Sequence, residues 1–154
     1  MTHVKGMVPD YPDHVVALLG RVLDGFRRDM RTAARDGGGG PEAIQGLRSS
    51  QVRLLSLTPP EGMRVTDLAE RVGMTKQALG EFANDLEWLG HLESVRDPAD
   101  RRVRILRPTS RGLEAVAASN EVIAAVEEEW RERLGTRKWE QLRRLLVEAA
   151  DLSR

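Results

Sequence analysis

The segment that most restricts how this chain can fold is the two-residue link Gly73-Met74. Before it, Asp67-Leu68-Ala69-Glu70-Arg71-Val72 reads as a short helix, with Thr66 as its cap and Val65 in the staple position one residue earlier. After it, Thr75 caps a second helix, TKQALGEFANDLEWLG, whose Ala78, Leu79, Phe82, Leu86 and Leu89 fall on one apolar face. So short a link, with a glycine in it, forces the two helices to cross at a large angle. That is the geometry of a helix-turn-helix.

The face opposite the apolar one begins with Thr75, Lys76 and Gln77 and continues through Gly80, Glu81 and Asn84. These side chains suit the edges of bases. Lys bonds guanine acceptors or a phosphate, and Gln and Asn pair with adenine through two bonds. Thr75 can cap the helix and still touch a phosphate at the positive helix end. Gly80 costs about 1 kcal/mol relative to alanine inside a helix, which points to close approach of a partner such as a DNA backbone. On an isolated helix the same residues would fit an ordinary solvated surface, so the neighbouring sequence has to decide.

That neighbouring sequence is a charged hairpin. His91-Leu92-Glu93-Ser94-Val95-Arg96 and Arg101-Arg102-Val103-Arg104-Ile105-Leu106-Arg107-Pro108 read as a hairpin joined by a turn at Asp97-Pro98, and in the second run Arg102, Arg104 and Leu106 alternate with Val103, Ile105 and Arg107, close to a period of two. From Arg96 to Arg111 the basic residues are Arg96, Arg101, Arg102, Arg104, Arg107 and Arg111, against only Asp97 and Asp100, a net charge of +4. Arginine suits narrow minor grooves and bidentate phosphate contacts. Asp97 or Asp100 is expected to brace one of these arginines by a fork-like pair and hold the tip in shape. Arg104 and Arg107 also fit simple surface ion pairs of small value. Helix-turn-helix followed by a two-stranded hairpin is the winged-helix arrangement.

Helices flank this unit. Asp13 is the expected cap of a first helix, carrying Val15, Leu18, Leu19, Val22, Leu23, Phe26 and Met30 and running to about Arg35. Gly37 to Gly40 and Pro41 follow as a loop. Ser49 or Ser50 caps a second helix ended by Pro59-Pro60. From Thr109 a long helix carries Leu113, Val116, Ala117, Ile123, Val126, Trp130 and Leu134. Gly135 ends it, and Thr136 opens a last helix with Trp139, Leu142, Leu145, Leu146, Ala149 and Leu152. These stripes hold more apolar surface than one small winged helix can cover, so a second copy of the chain is the expected cover. The fold class is therefore mainly α with a small β-hairpin wing, a winged helix-turn-helix dimerising through its N- and C-terminal helices. Residues 1–48 form the N-terminal dimerisation helix and glycine-rich loop, 49–112 the DNA-binding unit and 113–154 the C-terminal dimerisation helices.

Composition excludes several alternatives. The 154 residues balance 24 basic against 24 acidic side chains, but a local basic patch is enough for nucleic acid. With no cysteine, disulfides, Cys-ligated zinc and iron–sulfur clusters are ruled out. His3, His14 and His91 are too scattered for a metal site, and no nucleophile–base pair or cofactor loop stands out. No cofactor and no enzymatic activity are expected. Trp88, Trp130 and Trp139 are read as core or interface residues. No apolar run approaches a membrane span and the start lacks a secretory h-region, so a soluble cytoplasmic protein with no membrane partner is expected.

In LAERVGMTKQALGEFANDLEWLGHLE, RDPADRR and PTSRG, from Val65 to Gly112, the chain resembles the MarR family of bacterial winged-helix transcription regulators. The Asp-x-x-Asp-Arg-Arg of the wing is the most specific piece. The resemblance implies an obligate homodimer binding a palindromic operator in double-stranded DNA, as a repressor, with release by a small aromatic ligand bound between the dimerisation helices and the winged helix. It implies that the second helix of the motif reads the major groove, that the wing arginine entering the minor groove falls on Arg101 or Arg102, and that the first and last helices form the dimer interface. The residues assigned to DNA are Thr75, Lys76, Gln77, Gly80, Asn84, Arg96, Arg101, Arg102 and Arg104. Pro108-Thr109, where the family has Leu-Thr, and the glycine run depart from the pattern. The lack of cysteine excludes the family's cysteine-based peroxide sensors. The competing reading is a winged helix used for protein–protein contact without DNA.

Overall fold

Gly73 takes φ 70° and ψ 34°, the left-handed conformation, and its N–H donates to the carbonyls of Ala69 and Glu70. Only glycine enters that region without a Cβ penalty, so the helix ends there sharply. The computed structural model describes residues 13–36 and 42–152. Within them run α1 (Val15–Asp36), a 3₁₀ turn (Glu42–Ile44), α2 (Ser49–Leu57), β1 (Met63–Arg64), α3 (Val65–Val72), α4 (Lys76–Trp88), β2 (Leu92–Arg96), β3 (Arg104–Pro108), α5 (Ser110–Leu134) and α6 (Thr136–Asp151). The glycine run, Pro41 and His3 lie outside the described residues.

Helix starts divide between expectation and correction. Thr75 caps α4, its Oγ1 accepting from the Ala78 N–H at 3.1 Å, and Thr109 caps α5 by accepting from Gly112 N–H at 3.1 Å. In α1 it is His14, not Asp13, whose Nδ1 accepts from Ala17 N–H at 3.2 Å. In α2 the cap position is Arg48, whose N–H is taken by Gln51 Oε1 at 2.8 Å, so Ser49 and Ser50 are already helical. Thr66 is likewise inside α3.

The reason for that last shift is a strand the sequence did not reveal. β1 pairs antiparallel with β3, Met63 opposite Leu106 and Arg64 opposite Ile105. The hairpin therefore becomes a three-stranded antiparallel sheet in the order β1-β3-β2. Pairing carries the chain straight from β1 into α3 and leaves no residue between to act as a cap. Two residues are too few to display a period of two. Gly62 makes the approach possible: at φ 93°, a Cβ there would lie 2.7 Å from Ile105 Cγ2.

The core sits between α2, α3, α4, the sheet and the start of α5. Leu54, Leu55, Leu68, Leu79, Leu86 and Leu106 are almost wholly buried there, each contributing roughly 1.5–3 kcal/mol of transfer free energy. At the far end of the molecule Phe26 lies 4.1 Å, between ring centroids, from Trp130 and 6.1 Å from Trp139. Trp130 Nε1–H donates to Asp29 Oδ2 at 2.8 Å, tying α5 to α1. Around this cluster Val15, Val16, Leu19 and Leu23 of α1 and Leu145, Leu146 and Val147 of α6 remain exposed.

Candidate nucleic-acid interface

With Leu79, Ala83 and Leu86 buried, the opposite side of α4 is fixed by the helical period. Gln77, Glu81, Asn84 and Trp88 succeed one another at three- and four-residue spacing on that side, and all four are exposed. Thr75 and Lys76 are exposed at the capped N-terminal end. Gly80 has open space where a Cβ would stand. Trp88, at 87% exposure, is not a core residue. It closes the outward stripe at its C-terminal end, four residues after Asn84.

The wing tip is built around two carboxylates. Asp97 is buried; its Oδ1 accepts from Ala99 N–H at 2.9 Å, and its backbone N–H donates to Val103 O at 3.0 Å. Asp100 Oδ1 accepts from Arg102 N–H at 3.0 Å. The expected fork-like brace forms, but not on one of the six wing arginines: Asp97 Oδ2 accepts from Arg64, on β1, through Nε at 3.1 Å and Nη2 at 2.7 Å. The brace uses Arg64 because β1 brings it to the base of the turn. The Ala99 N–H first, then the Arg64 guanidinium, hold the Asp97 carboxyl below its ordinary value.

Five of the six arginines divide in two; the sixth, Arg111, is exposed in the first turn of α5. Arg107 pairs with Glu93, Nη2 to Oε1 at 2.7 Å, on the exposed sheet face. Arg104 is tied to Glu87 of α4, donates through Nε to Ser94 Oγ and through Nη2 to Asn84 Oδ1 at 3.3 Å. Arg96, Arg101 and Arg102 are exposed and their side chains form no ion pair among the described residues. The cation of Arg104, assigned to DNA from sequence, is thus engaged within the protein. The structure brings Asn84 and Arg104 together, and it adds Glu87 and Ser94 to the group.

A cavity of about 630 Å³ opens between α1, α2 and α5. Arg27, Arg31 and Arg35 of α1 and Arg53 of α2 line it beside Met30 and Ile123, with no acidic residue among the described residues of the lining. The signal in the sequence was the four-residue spacing of Arg27, Arg31 and Arg35, which puts them on one helical face.

No protein-family model matches the chain, and no curated protein sequence matches it. Solved structures do. The PcaV transcriptional regulator of Streptomyces coelicolor, in complex with its natural ligand, superposes with a TM-score of 0.69 at 23% identity over 97% of this chain and 100% of that one. MarR superposes with a TM-score of 0.71 at 23% identity, covering 96% of this chain and 95% of that one. The chain has the MarR fold. CouR, a protein of Rhodococcus jostii RHA1, shares it: this repressor, bound to a 23-mer DNA duplex, gives a TM-score of 0.73 at 24% identity over 92% of this chain and 94% of its own.

Within the MarR fold of this chain, the turn after α4 is fastened to the start of α5. Thr109 N–H donates to His91 O at 3.1 Å, and Thr109 Oγ1 donates to Gly90 O at 2.7 Å. Gly112 lies so near that a Cβ on it would be 2.1 Å from His91 O. The His91 side chain is buried with Nδ1 unpartnered. Burial pushes its pKa below the ordinary value, while a bond to the Arg111 backbone opposes that shift and the Arg111 charge adds to it. No described helix is long and apolar enough to cross a membrane.

Proposed function

We propose that this protein is a homodimeric, sequence-specific transcription regulator that represses by binding a palindromic operator in double-stranded DNA, acts in the cytoplasm and is released by a small aromatic ligand. The observation that carries the reading is the outward stripe of α4, led by Lys76 and Gln77 behind the Thr75 cap, next to a wing whose exposed Arg101 and Arg102 side chains form no ion pair among the described residues. Lys76 and Gln77 meet base edges in the major groove. Arg101 or Arg102 enters the minor groove, where arginine is favoured by the narrow-groove potential. The DNA-bound CouR structure supports this use of the fold.

The exposed apolar residues of α1 and α6 support the dimer, since a patch of this kind is costly to leave in water. Two-fold symmetry then sets the two α4 helices about 34–36 Å apart, one DNA turn. The arginine-lined cavity supports an anionic aromatic ligand, and the PcaV structure with its natural ligand supports ligand binding by this fold.

The test is binding of duplex fragments from the region upstream of its own gene at several salt concentrations, with oligomeric state measured alongside. A dimer that selects one fragment, with affinity falling steeply as salt rises, is the expected result. A monomer, or a protein that binds no duplex, would overturn the reading.

A further inference from the structure

Arg104 lies where the helix meets the wing, and its bonds run inward. One guanidinium is shared by Glu87 and Asn84 of α4 and by Ser94 of β2, and the Arg104 and Glu87 side chains are largely shielded from solvent. An arginine held this way has its charge answered by a carboxylate, so it has little to offer a phosphate. It does fix an amide. Asn84 stands on the outward stripe between Gln77 and Trp88, and its Oδ1 faces the Arg104 cation. A carbonyl oxygen turned toward a cation leaves the Nδ2 amino group to face away, and that group has two N–H donors and no acceptor.

We propose that Arg104 is a positioning residue that sets which base Asn84 reads, an inference that rests on the DNA-binding function above. A free asparagine pairs with adenine by accepting from N6–H and donating to N7. With its oxygen turned toward Arg104, Asn84 of this chain presents its amino group, two donors, to a base edge. Donors alone match the two acceptors of guanine, O6 and N7, and leave the adenine amino group without a partner. Asn84 therefore selects guanine, and Arg104 enforces the choice without touching DNA. Glu87 and Ser94 keep Arg104 in place.

The experiment measures binding of the full-length protein to its operator and to every single-base variant of it, at several salt concentrations. The proteins compared are wild type, Asn84→Ala, Arg104→Met and Arg104→Lys. The position read by Asn84 is the one whose base preference disappears in Asn84→Ala. Wild type is expected to favour guanine over adenine there by about tenfold, the discrimination typical of one good base contact. In Arg104→Met that preference shifts toward adenine, while the slope of log affinity against log salt stays that of wild type. Arg104→Lys, which keeps a cation beside the oxygen, recovers part of the guanine preference. A wild-type preference for adenine at that position overturns the proposal, and this arm stands even if Arg104→Met fails to fold. A slope reduced by about 0.9 for each subunit in Arg104→Met also overturns it, because that is the mark of a lost phosphate contact. In both of those outcomes the protein still binds its operator and the function stands. Absence of binding by wild type defeats the function and the proposal together.

Discussion

Arg64 and Asp97, thirty-three residues apart, are joined by two hydrogen bonds on one carboxylate oxygen. The strand that precedes the helix-turn-helix is thereby anchored to the turn that presents Arg101 and Arg102. Arg64→Met is expected to loosen the tip and weaken binding to all duplexes, with the salt slope unchanged because the Arg64 guanidinium is engaged by Asp97. The Asp97 carboxylate, held first by the Ala99 N–H and then by Arg64, gives an acid limb to stability. Asp97 titrates below its ordinary value near 3.8 in the folded chain. Its contribution is therefore complete above that pH and is lost as pH falls through the depressed folded value. Thermal melts of wild type and Arg64→Met should converge on acidification through that window.

Gly80 separates folding from function. None of the described residues occupies the space a methyl group would take, and alanine is the better helix former by about 1 kcal/mol. Gly80→Ala should raise the thermal midpoint and weaken operator binding. Stabilisation with unchanged affinity would mean that no DNA approaches this turn of α4.

Gly112 is held by sterics alone. A Cβ there would meet the His91 carbonyl, a backbone atom, so the strain must be taken up by moving α5 or the turn after α4. Gly112→Ala should lose roughly 1–3 kcal/mol, as for overpacking elsewhere, read as a lower midpoint in denaturant with an unchanged m-value.

His91 predicts a second pH dependence at a higher range. Its folded pKa lies below the ordinary value of 6.5, so the unfolded chain takes up the proton first on acidification. Its contribution to stability is complete above about 6.5 and falls as pH drops toward the folded value. His91→Gln should flatten stability against pH in that range and leave the Asp97 limb in place.

The sequence carried the fold wherever pattern and turn chemistry agreed. The Gly73-Met74 link, the Thr75 and Thr109 caps and the two strands flanking Asp97-Pro98 appear where local rules put them, except that β3 starts at Arg104 because Arg102 and Val103 belong to the turn. What it did not carry was tertiary. β1 exists because β3 pairs with it, so Thr66 lost its cap and Asp97 gained Arg64. The pairing of Arg104 with Glu87 follows from the angle between wing and helix, which no local pattern encodes. Glu87 is three residues beyond Asn84 on α4, a hint only once the wing is known to lie alongside. The exposure of Trp88 had the plainest signal in the sequence: it follows Gln77, Glu81 and Asn84 at helical spacing.

The central claim is that the start of α4 reads sequence while the wing tip supplies affinity. The measurement that tests it most directly is operator and random-duplex binding by Lys76→Ala, Gln77→Ala and Arg101→Ala across a salt series. The first two should lose discrimination, by about tenfold each, and keep most of their random-duplex affinity. Arg101→Ala should weaken both duplexes together and flatten the salt slope. Equal losses on operator and random DNA for all three variants would contradict the account.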